Sequence, residues 1–222
     1  MIQFSETHSS FNISWCYKID PIFRVLGQKE HLDDFFENGN IFISSFENFK
    51  SYKDEMQGDI SEGQSLIGGF DKEGNGSHVF YEGGVQAFIL CTTKVLSDKV
   101  IKDFNGVGAI KIVNSVLFAK EIARKLPFVN AGIEGSCIYI DSKVQHLEDE
   151  QNELFQKINF SDPSMINQTI TALTTGVELF MKYKKYEHQQ EHRLAWFSER
   201  KIKKGIVVHC PEAIQYCEKI IF

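Results

Sequence analysis

Apolar and polar positions change period several times along the chain, and each change marks a new element. Residues 1–12 are polar and read as a loose arm. "WCYKI" (15–19) has the look of a short strand, ended by Pro21. In "FRVLGQKEHLDDFFENG", Phe23, Leu26, Leu32, Phe35 and Phe36 recur at broadly helical spacing, and Gly39 supplies a helix stop. "NIFISSF" (40–46) then reads as a strand. Residues 47–84 are rich in Gly, Asp, Glu and Ser and read as a long irregular surface loop. Beyond it, "VQAFILCTT" (85–93), "GAIKIV" (108–113) and "GSCIYIDS" (135–142) are β-branched and aromatic runs bounded by turn residues.

Helical stretches lie between and after these strands. "NSVLFAKEIARKLP" (114–127) has a cap at Asn114 or Ser115 and ends at Pro127. "HLEDEQNELFQKI" (146–158) is a further helix. "DPSMINQTITALTTGVELFMKYKKY" (162–186) reads as the longest, with Asp162 as cap and Pro163 at its first position. "HRLAWF" and "GIVVHC" close the chain as strands, followed by a short helix or strand to the end. With no repeat, linker or low-complexity tract, the pattern predicts one α+β domain over residues 1–222.

Composition narrows the class. Hydrophobic residues are 42% and charged residues 24%, enough apolar content for a real core. The net charge of -6 lacks the electrostatic footprint of a nonspecific DNA binder. The five cysteines are scattered and form no C-x-x-C pair, which argues against a disulfide framework and fits a reducing cytosol. The N-terminus shows no signal peptide, and no apolar run reaches the length of a bilayer span. The expectation is a cytoplasmic protein without a membrane partner.

The most distinctive stretch is "KYEHQQEHRLAWF". As H-x-x-E-H, His188 and His192 would share a helical face and bind zinc, with Glu191 as general base. The strand-like "RLAWF" directly after His192 breaks that face, and a third ligand on a downstream helix is hard to find. No metal is therefore expected here. Read as Gln189-x-Glu191, the same residues suit cleavage of the bond between ribose C1′ and nicotinamide in NAD. A carboxylate beside the ribose stabilises the oxocarbenium-like transition state, and a polar partner two residues earlier on an extended segment shares its face. The chemistry also needs a polar group on an early strand, for which Tyr17 and Lys18 are candidates. It needs a hydroxyl-bearing second strand followed by an aromatic residue. Ser44 or Ser45, with Phe46, Phe49 and Tyr52 beyond, meets that need.

These pieces carry a resemblance. The Tyr-Lys strand, the helix ending in Asn-Gly, "FISSFENF", the acidic "DISEG" loop and "KYEHQQEHR" together resemble an uncharacterised bacterial family. That family is itself similar to the ADP-ribosyltransferase superfamily and occurs near toxin and phage-defence loci. The match runs from about 15 to about 200. The resemblance implies two small, mostly antiparallel sheets forming an NAD cleft, with flanking helices. It implies transfer of ADP-ribose to RNA, DNA or protein, and a possible neutralising antitoxin as partner. Two departures stand out. Lys18 takes the place of the usual Arg or His of strand one, and Ser44-Ser45 replaces a Ser-Thr-Ser triplet.

Each residue also has a plainer role. Glu191 can pair with Arg193 or Lys185 on a solvated edge, and Gln189 can be surface polarity. Arg193 can face solvent or contact a phosphate. Tyr17, Phe46, Phe49 and Tyr52 can be core aromatics. Asp54, Glu55, Asp59 and Glu62 form either a solvated loop, a gating loop or a weak divalent-cation site. The basic runs "KYKK" (182–185) and "ERKIKKG" (199–205) are either a cationic helix end and a turn, or guides for a nucleic acid. Two alternatives stay open beside the transferase: a non-catalytic binding or sensor module on the same scaffold, and a metal-dependent nuclease.

Overall fold

A computed structural model of the chain describes residues 20–51, 61–174 and 176–222. The arm 1–12, the strand expected at 15–19, and Tyr17, Lys18, Tyr52, Asp54, Glu55 and Asp59 lie outside the described residues. The architecture is α+β, as the pattern predicts, with strands paired mostly antiparallel. Among the described residues no helix is long and apolar enough to cross a membrane.

The first strand, β1 (Ile22–Leu26), is followed by helix α1 (Lys29–Asn38) and strand β2 (Asn40–Ser45). The expected helix thus starts later than the spacing of Phe23 and Leu26 implies. "IFRVL" pairs along its whole length with β6 (Gly108–Ile112), from Ile22 opposite Ile112 to Leu26 opposite Gly108. Partner hydrogen bonds decide the conformation of a short apolar run that periodicity leaves open. The end of α1 is as expected. Gly39 takes a left-handed φ of 75° and donates its N–H to Phe35 O. A side chain there would collide with Pro211.

Strand β5 (Ala87–Thr93) organises the rest. One edge pairs with β11 (Glu191–Ser198), which pairs in turn with β7 (Val129–Ser136). The other edge divides. Ser44 and Ser45 of β2 pair opposite Ile89 and Phe88, and β12 (Ile206–His209) extends that branch. Phe23 of β1 pairs opposite Thr93, and β6 and β13 (Cys217–Ile221) extend the other. In place of the two expected small sheets, the described residues form one eight-stranded sheet that branches at β5, with a wedge between β1 and β2, beside separate two- and three-stranded sheets. Helix α1 connects those strands and spans the wide end of the wedge.

Both faces of β5 are covered, so its residues are almost all buried rather than alternating. Phe88 and Leu90 join the larger core with Leu194, Trp196 and two residues of α4 (Ser115–Lys125), Phe118 and Ile122. Ala87 and Ile89 join Phe46 and Phe49 of α2 (Phe46–Ser51), Leu179 and Ala195 on the other face. Asn114 caps α4 by accepting from Leu117 N–H, as its position predicts.

The region expected to be a loop is largely structured. β3 (Gln64–Phe70) and β4 (Gly76–Glu82) form a hairpin, and β9 (Val144–His146) adds to β3 in parallel. Ile67, Leu147, Phe155, Ile158 and Ile170 bury one face of this sheet against α5 (Asp149–Gln156) and α6 (Pro163–Thr174). Two glycines inside β3 hide its alternation. Gly68 is needed because a Cβ would strike Ser77 O and the ring of His78.

The long helix expected over 162–186 also divides. Asp162 caps α6 at Ser164 and Met165 as expected, but the helix ends at Thr174. Gly176, at φ 79°, redirects the chain into a 3-10 turn (Val177–Phe180). Strand β10 (Met181–Tyr183) then pairs in parallel with β8 (Ile138–Ile140), and a second 3-10 turn (Lys184–Gln189) leads into β11.

Candidate functional site

A cavity of about 580 Å³ fills the wedge, within the size range of small-molecule sites. Arg24 and Val25 of β1, His31, Asp34 and Phe35 of α1, and Ile41 and Phe42 of β2 line it. Cys91, Lys182, Glu191, Arg193 and Glu62 lie at its narrow end near β5.

On β11, Glu191, Arg193 and Ala195 point to one face, and His192, Leu194 and Trp196 to the other. Alternation thus delivers Glu191 and Arg193 together to the wedge. Glu191 is buried, with Lys182 Nζ 2.5 Å from Oε2 and Arg193 Nε donating to Oε1. Arg193 is fully buried and donates to both oxygens of Glu62, at 2.9 and 2.8 Å, and to Leu179 O at 2.6 Å. Two carboxylates and two cations thus form one closed network. Burial pushes the Glu191 carboxyl up, but Arg193 and Lys182 outweigh burial and hold it well below the usual carboxylate range. The backbone is fixed as well, since Glu191 N–H donates to Tyr139 Oη at 2.7 Å and Glu191 O accepts from Cys137 N–H.

Gln189 and Glu191 come together by a different route from the one the pattern suggests. Gln189 ends a 3-10 turn and Gln190 is left-handed, so the pair does not lie on one extended segment. Lys182 joins them instead, donating to Gln189 Oε1 at 2.9 Å as well as to Glu191. Lys182 reads in sequence as part of a basic run, yet it is buried and leans on the Tyr186 ring. Lys184 lies 4.0 Å from Asp141 and Lys185 sits over Tyr186, so 182–185 is no continuous exposed basic strip.

Ser44 and Ser45 are not among the cavity residues. Ser44 Oγ donates to Ser45 O and Ser45 Oγ donates to Asn48 Oδ1, so they shape the turn into α2. Phe49 does line the cavity, while Phe46 is core. Arg193 spends its donors on protein partners. A cavity cation with donors to spare is Arg24, which the periodicity places in a helix. Its Nη1 donates to Cys91 O at 3.0 Å, its one hydrogen bond among the described residues, and the side chain lines the cavity beside Glu191. Its signal in sequence is a lone charge in the apolar run "IFRVL".

The zinc arrangement is not formed. His188 contacts Asp103 Oδ2 at 2.6 Å, and His192 lies on β11 with Nε2 3.6 Å from Glu134 Oε2, so no helical face holds both. Among the described residues no three metal-ligating side chains converge. Glu62, a candidate cation ligand in sequence, gives both oxygens to Arg193. Comparison with protein-family models, curated proteins and solved structures finds no match.

Proposed function

We propose that the wedge binds NAD and that the chain transfers ADP-ribose from it to a macromolecular acceptor, on an ADP-ribosyltransferase-like scaffold. The observation that carries this reading is the placement of Glu191. It is an ionised carboxylate fixed by Lys182 and Arg193 at the narrow end of a dinucleotide-sized cleft, with Arg24 beside it. Breaking the C1′–N bond releases nicotinamide and leaves positive charge on the ribose. A fixed carboxylate favours that charge without reorganising. Arg24 has the free donors that a diphosphate would take. An acceptor nucleophile then bonds to C1′ and loses its proton. The biological setting suggested by the sequence resemblance is a toxin or anti-phage effector.

A second reading rests on one observation. The charges of Glu62, Glu191, Lys182 and Arg193 balance one another, as in a structural network. This favours a module that binds the ligand without cleaving it. Nicotinamide release from NAD separates the two, measured with a mixture of nucleic acid and protein as acceptors. A transferase releases nicotinamide, and Glu191→Gln lowers the rate by roughly 10²–10³-fold. Binding of NAD without release selects the second reading. Neither binding nor release from folded protein overturns both.

A further inference from the structure

The wedge has two chemically different ends. The narrow end carries the network around Glu191. The wide end is formed by α1 and the segments that join it to β1 and β2. β1 pairs with β5 at Phe23 and β2 pairs with it at Ser44 and Ser45, and residues of both strands beyond those points line the cavity. Gln28, His31, Asp34 and Asn40 line this end. Between the ends the walls are apolar, with Val25, Leu26, Ile41, Phe42, Phe104 and Val207.

Asp34 is the carboxylate among the residues named at the wide end. Asn38 Nδ2 and Asn40 Nδ2 both donate to its Oδ1, at 2.8 and 3.0 Å. Among the described residues Oδ2 accepts no hydrogen bond. The two amides anchor Oδ1 and leave Oδ2 for a ligand. A carboxylate with a free oxygen suits a vicinal diol, which donates two hydrogen bonds, and it repels a phosphate on the same sugar.

Resting on the NAD reading above, we propose that Asp34 holds the adenosine ribose and makes the site selective for NAD over its 2′-phosphorylated form. The nicotinamide ribose then lies at Glu191, Arg24 at the diphosphate, and the second ribose at α1. The two asparagines are positioning residues, because they act through Asp34. These hydrogen bonds also keep Asp34 below the usual carboxylate range, so it is charged at neutral pH.

The test is equilibrium binding of NAD and NADP to the full chain at pH 8, with Asp34→Asn beside the wild type. Wild type should bind NAD at least 10-fold more tightly than NADP. Asp34→Asn should shrink that ratio several-fold, chiefly by strengthening NADP binding. ADP-ribose against 2′-phospho-ADP-ribose on the wild type gives the same comparison without a variant, with at least 10-fold preference expected for the unphosphorylated form. Equal binding of the two forms by wild type overturns the proposal, as does a ratio unmoved by Asp34→Asn in a folded variant. Binding of neither dinucleotide refutes the NAD reading itself and removes the basis for assigning Asp34. NAD binding without selectivity leaves the NAD reading standing and refutes the assignment alone.

Discussion

Replacing Arg193 with methionine tests the network at its centre. The guanidinium is fully buried and donates to Glu191, to both oxygens of Glu62 and to Leu179 O. Methionine fills similar length without charge. Glu62, also buried, would lose both of those hydrogen bonds, and Glu191 would keep Lys182 alone. Breaking a buried ion pair from one side costs about 3–5 kcal/mol. The orphaned carbonyl of Leu179 adds about 1 kcal/mol. A loss of about 4–6 kcal/mol is a large part of the roughly 5–15 kcal/mol that holds a domain folded. Urea denaturation followed by circular dichroism reads it directly. With a slope of about 2–3 kcal/mol/M, the midpoint should fall by roughly 1.3–3 M. Removing Glu62 as well, as Glu62→Met/Arg193→Met, should cost less than the two single losses combined, because the second change removes the uncompensated charge. A single-variant loss below about 1 kcal/mol, or strict additivity in the double variant, would refute the coupled network.

Three further outcomes follow from the same structure. Glu191 is held below its ordinary value in the folded chain, so its contribution is present above the unfolded value of about 4.3 and fades as pH falls below it. Stability measured from pH 6 to pH 2 should therefore fall less steeply in Glu191→Gln than in wild type. Glu178 is raised by burial, so its protonated form favours folding and that advantage is lost as pH rises through its folded value. Glu178→Gln can still accept from Tyr81 Oη, and should raise the denaturation midpoint at pH 8 relative to its effect at pH 4. Asn114→Ala removes the cap on Leu117 N–H and should cost about 1 kcal/mol, read as a fall of roughly 2–4 °C in Tm.

Local pattern and tertiary pairing contributed differently to this protein. The strands around β2, β5, β6, β11 and β12, the caps at Asn114 and Asp162, and the stop at Gly39 follow from residue type and spacing, because their causes lie within a few residues. Glu191 and Arg193 both stand out in sequence, but their pairing there reads as that of a solvated edge, and their shared burial on one face of β11 comes only with the fold. Partners distant in sequence decided the rest. β1 is a strand because β6 pairs with it, and β3 and β4 form because a separate core covers one face of their sheet. β10 leaves the helical pattern because β8 pairs with it. That pairing carries Lys182 to Glu191 and Gln189, and the branching of β5 places Arg24 and Asp34 around the same cavity. Sequence periodicity reports which face a side chain takes, while long-range hydrogen bonding sets which faces meet. The charged network, with contacts from residues 62, 182, 191 and 193, exists only once they do.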